Sequence, residues 1–148
     1  SGTPQFAGTF GVRYFIDYWF LGANLNAFGR NYIDVAPARR MEGIYNTVDP
    51  TLPETMDTYY AMTTQERIGS ACTLDLSVGK IFYLRNRQSI NFNLSVNNVL
   101  NKRDIRTGGY EQARVFASDG ALVNPALFPN KYYYMQGINC FANISYRF

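Results

Sequence analysis

The side chains with chemistry to offer are eleven acids, fourteen bases, two cysteines and an unusual number of tyrosines; histidine is missing altogether. Without imidazole the chain has no ready general base near neutral pH, no proton shuttle and none of the commonest metal ligand. Asp17, Asp34, Asp49, Asp57, Asp75, Asp104 and Asp119 are scattered, with no paired-carboxylate spacing, and the glycines form no phosphate-cradling loop. The residues therefore point away from catalysis, from a metal centre and from any cofactor.

What remains is binding chemistry. Arg13, Arg30 and Arg147, with Asp75, fall on the polar phase of extended segments. Arginines on such a face either draw an anionic cargo or pair with nearby carboxylates. Tyr45, Tyr59, Tyr60 and Tyr110 fall between those segments, where a ring can stack on a chelate or a sugar, or pack against its own loop. Cys72 and Cys140 sit at apolar-phase positions and read as small hydrophobic filler, with a disulfide as the alternative.

The elements that carry these residues are strands. Ile138 to Phe148 alternate apolar and polar up to an aromatic end, with Phe141 the one large apolar residue in the polar phase, and such alternation places the two sets on opposite faces. The same period marks Phe6 to Phe15, Trp19 to Asn31, Ala71 to Leu84 and a run beginning at Ile90. The polar phase is rich in Asn and Ser rather than Lys and Glu, which suits a sheltered, hydrated interior. The apolar phase then faces lipid.

Composition agrees. Charged residues are 17% of the 148, against about a quarter in soluble domains. Aromatics are 16%, and tyrosine suits the boundary between water and lipid. The net charge of +3 is spread along the chain, which argues against nucleic acid. No apolar run is long enough for a membrane helix, but membrane strands need only about ten alternating residues.

Short turns near Asp17 and at Arg85 to Gln88 alternate with long segments, about Tyr32 to Ile68 and Asn98 to Asn130, that lose all periodicity and read as loops. Long structureless loops are rare in compact soluble domains, whereas outer-membrane barrels have short periplasmic turns and long external loops. Counting back from a periplasmic C-terminus places both short turns on the periplasmic side. Trp19, Tyr83, Tyr146 and Phe148 then form one aromatic belt, and Tyr32 with Tyr132, Tyr133 and Tyr134 the other. Five strands cannot close a barrel, because single-chain barrels start at about eight. The rest must come from upstream sequence or from other copies, and the missing signal-peptide pattern implies a beginning further upstream.

The run Asn91 to Lys102, the Gly108-Gly109-Tyr110-Glu111 step, Phe128 to Tyr134 and the closing Tyr146-Arg147-Phe148 resemble the C-terminal end of TonB-dependent outer-membrane receptors of Bacteroidetes type. Asn31 to Asp34 and Arg39-Arg40 extend the resemblance over essentially the whole chain. It implies an all-β fold: about five long strands in an up-and-down antiparallel meander, the last part of a plugged barrel of roughly 22 strands. It also implies import of a scarce nutrient (metal chelate, vitamin, glycan or peptide) across the outer membrane of a Gram-negative bacterium. The implied partners are lipid, the receptor's own plug and earlier strands, TonB through an N-terminal part with no counterpart here, and the barrel-assembly machinery, whose signal Tyr146 and Phe148 resemble. The family often has a glycine upstream of that ending, where this chain has Asn143. The competing expectation is a soluble, ligand-binding β-sandwich or small barrel whose apolar faces meet each other.

Overall fold

The computed structural model describes residues 3–46, 49, 51–113, 117–118, 121–122 and 128–148. They form two compact units, each built from segments distant in sequence.

The first unit is one antiparallel sheet. Its strands are β1 (Phe6–Ile16), β2 (Trp19–Gly29), β5 (Ala71–Tyr83), β6 (Ser89–Asn97) and β11 (Asn139–Arg147), paired in that order. All five strands expected from the alternation are present, each beside its predecessor. The chain is all-β in character with antiparallel pairing; the sheet has two edges, β1 and β11.

The two short turns are made by residues with left-handed backbone. Asp17 and Tyr18, at φ 44° and 64°, join Ile16 to Trp19 in a two-residue hairpin, the geometry whose twist matches that of the strands. Asn86 and Arg87, at φ 66° and 63°, lie in a three-residue connection after β5, closed where the Leu84 amide donates to the Gln88 carbonyl at 2.8 Å. The strand expected to reach Asn31 stops at Gly29, because Arg30 turns left-handed at φ 52°. Arg30 is therefore off the sheet and shares neither of its faces.

The segments expected to be loops hold the second unit. It contains the short strands β3 (Asn31–Tyr32), β4 (Arg67–Ile68) and β7 (Arg106–Tyr110), the two-residue β8 (Ala117–Ser118) and β9 (Ala121–Leu122), and most of β10 (Lys131–Tyr134). With them go a helical turn α1 (Glu42–Tyr45) and a helix α2 (Pro53–Thr63). Strand β3 pairs with β4, and β7 with β10. Ile33, Ala36, Met62 and Ile68 are buried within it. These segments are thus not structureless loops: α2 starts on Pro53 and Glu54, a recognisable helix opening. It lacks the apolar stripe on which periodicity reading depends.

Candidate functional site

In the sheet, register turns five separate alternations into two continuous faces. Val12, Ala23, Leu76, Val96 and Cys140 stand in one row across all five strands, and Tyr14, Leu21, Val78, Leu94 and Ala142 in the next. In these rows Val12 is 54% exposed, Tyr14 58% and Leu76 41%, and an open concavity of about 500 Å³ lies over Val12, Tyr14, Leu21, Leu76 and Leu94. An exposed apolar patch of this extent is of the kind that marks a protein, ligand or membrane contact.

The opposite face carries Phe15, Phe20, Phe28 and Phe141 but is otherwise largely polar and hydrogen-bonded across strands. Thr9 Oγ1 donates to Asn26 Oδ1 at 3.0 Å, and Asn26 Nδ2 donates to Asp75 Oδ2 at 2.7 Å. The other Asp75 oxygen accepts the Asn98 amide at 2.8 Å. Asn98, buried, has a left-handed backbone (φ 50°) and donates to the Lys102 and Gln136 carbonyls, each at 2.9 Å. Asp75 thus orders the Asn98 turn and is not the partner of Arg13, which stands in the Gly22 and Ser77 row of the same face. A Cβ on Gly22 would meet the Ser77 hydroxyl, which would have to rotate away. Arg147 is exposed on edge strand β11, opposite Ser89. Tyr146 lies in the apolar phase opposite Ile90, its ring 6.3 Å from that of Phe148. Cys72 and Cys140 are both free thiols.

In the other unit the sequence-predicted tyrosines fall into two groups. Tyr45 and Tyr59 meet edge to face at 5.6 Å, and Tyr59 meets Tyr60 at 6.0 Å. Tyr110 is drawn apart to pair with Tyr133, also at 6.0 Å. Tyr32 and Tyr132, expected in an outer belt, belong to this unit rather than to the sheet. The Tyr132 hydroxyl donates to the Glu66 carboxylate at 2.7 Å, and Arg106 stacks on the Tyr132 ring at 4.0 Å.

The strongest polar construction in this unit was not legible in the sequence. Arg40 makes a forked bridge to Glu111, Nη1 to Oε2 at 2.6 Å and Nη2 to Oε1 at 2.9 Å, and Nη2 also donates to the Thr63 carbonyl at 2.6 Å. The Ala36 amide donates to Glu111 Oε2 at 2.9 Å. Beside it, buried Arg39 donates to the carbonyls of Gln112 and Phe128. Burial pushes the Glu111 carboxyl up, but the hydrogen bonds from Arg40 and Ala36, with the charges of Arg40 and Arg39, outweigh it and hold the group below its ordinary value. Hydrogen bonding to Glu111 raises Arg40 above its own. Among the described residues no three His, Cys, Asp or Glu side chains converge as a metal site.

Fold and faces define an all-β chain carrying an antiparallel sheet with one polar and one uncovered apolar side. No protein family, curated protein or solved structure matches this chain.

Proposed function

We propose that this chain is the C-terminal part of the wall of a transmembrane β-barrel, in a TonB-dependent outer-membrane receptor that imports a scarce nutrient. The observation that carries the reading is the exposed apolar face of the sheet, in which Lys80 is the one charged residue, set against a face that is largely a hydrogen-bonded Asn, Ser, Thr and Asp surface despite Phe15, Phe20, Phe28 and Phe141. Dimensions support it. From Cys72 to Phe82 the apolar phase of β5, with Lys80 its one charged residue near the short-turn end, runs about 34 Å along the strand, or about 26 Å across a bilayer at a tilt near 40°, and barrels of this kind carry an apolar band of about 25 Å. Both tight turns lie at the same end of the sheet, where the Ile81 amide donates to the Tyr18 carbonyl at 3.0 Å, as periplasmic turns would. Edges β1 and β11 take their partners from the rest of the receptor, because an unpaired edge in hydrocarbon leaves backbone groups unsatisfied. Tyr45, Tyr59, Tyr60 and Tyr110, all in the other unit, are the candidates for contact with ligand. The segment performs no catalysis.

The test is site-directed fluorophore labelling at Leu94, Ile144, Asn93 and Ser95 in a chain lacking Cys72 and Cys140, reconstituted into vesicles. Lipid-borne quenchers should reach Leu94 and Ile144 and miss Asn93 and Ser95. A soluble ligand-binding sandwich or small barrel is the second reading, favoured by the concavity on the apolar face. It requires a monodisperse monomer without detergent and no lipid quenching at any of the four positions.

A further inference from the structure

The apolar phase of the five strands contains one charged side chain. Lys80 stands in the row Ile16, Trp19, Lys80, Phe92, Ile144, where its neighbours are all large and apolar. Its ammonium lies 4.3 Å from the ring centre of Trp19 and 5.1 Å from that of Phe82, so the side chain lies along the apolar face rather than crossing to the polar one. Past it, one further apolar row, Phe82, Ile90 and Tyr146, precedes the β5–β6 turn, whose Arg85 and Arg87 are both exposed. A lysine near the end of a lipid-facing strand extends its ammonium to the headgroup layer, and a tryptophan beside it settles at the same depth.

On this basis, and resting on the membrane reading above, we propose that Lys80, seated against Trp19 and Phe82, binds the phosphate of an anionic phospholipid in the leaflet on the short-turn side. The acyl chains lie along the rows of Val78 and Leu76. Lysine suits this ligand as a compact point charge with three donors. The two rings hold the ammonium of this half-buried side chain at the rim, where the phosphate meets it.

The chain's single tryptophan reports directly on the site. The chain is mixed with vesicles of phosphatidylcholine alone and of phosphatidylcholine with phosphatidylglycerol, and co-flotation and Trp19 emission are followed. The wild type should favour the anionic vesicles. K80Q should lose about fivefold of that preference, K80R should keep it, and K131Q, removing an exposed lysine outside this sheet, should leave it unchanged. In the unmodified chain, bromines placed near the headgroup should quench Trp19 more than bromines near the chain ends. Equal losses in K80Q and K131Q, or deeper quenching from the chain ends, overturn the Lys80 site while the membrane reading stands. A chain that floats with neither vesicle and keeps its Trp19 emission unchanged overturns the membrane reading and the site with it.

Discussion

Arg40 and Glu111, 71 residues apart, close a forked ion pair with arms of 2.6 and 2.9 Å, and the Glu111 side chain keeps 2% of its surface accessible against 27% for Arg40. The carboxylate also accepts the Ala36 amide. Two segments that sequence alone offers as loops are tied together at this point.

Removing Arg40 strands a buried carboxylate. Arg40→Ala should destabilise this unit by about 3 kcal/mol, the low end for breaking a buried pair, because part of Arg40 is wet in the intact protein. Glu111→Ala should cost less, since the guanidinium left behind still reaches water. Hydrogen exchange at the Ala36 amide measures both, and equal protection in wild type and Arg40→Ala would contradict the assignment.

The same pair sets a pH dependence. Glu111 titrates below its ordinary 4.5 in the folded chain, so its stabilising contribution is complete above that value and is lost as pH falls through the lower, folded one. Protection of the Ala36 amide should therefore decline on acidification below about pH 4.5, and Glu111→Gln should flatten that decline.

On the sheet, neighbouring residues should respond oppositely to charge. Leu76 lies mid-strand in the apolar phase and Ser77 in the polar phase. Leu76→Arg should cost roughly 2–4 kcal/mol of folding free energy in lipid, as at a bilayer midplane, and Ser77→Arg far less. Urea titration in phospholipid micelles reads both. Similar costs at the two positions would remove the distinction between the faces on which the membrane reading depends.

The first hairpin sets backbone strain against ring packing. Tyr18 has φ 64°, and its ring meets that of Tyr83 edge to face at 5.0 Å. Left-handed backbone costs a side-chain-bearing residue about 1–2 kcal/mol, and such a ring pair returns about 0.5–1.5 kcal/mol. Tyr18→Gly should therefore be close to neutral in the wild type and stabilising by about 1 kcal/mol when Tyr83 is already Ala. A double-mutant cycle measures the coupling.

The five strands were legible because dyad alternation is a local property: Cys72 to Phe82 announces its two faces whatever it pairs with. Positive-φ breaks are less visible: the alternation runs on through Arg30 to Asn31, although β2 ends at Gly29. A lone lysine in an apolar run, such as Lys80, is only an interruption until register sets it beside Trp19. Helix α2 has no apolar stripe, and only Pro53 and Glu54 mark its start.

By itself, then, the order of residues determined the extended segments, their polar and apolar sides and the places of the tight turns, since these follow from steric preferences acting over a few neighbours. Tertiary structure decided the row-by-row register that unites the faces, the capture of Asp75 by Asn26 and Asn98, and the Arg40–Glu111 bridge. Those contacts join groups from 23 to 71 residues apart. Their geometry exists only once the chain has closed on itself, so no local pattern can encode it.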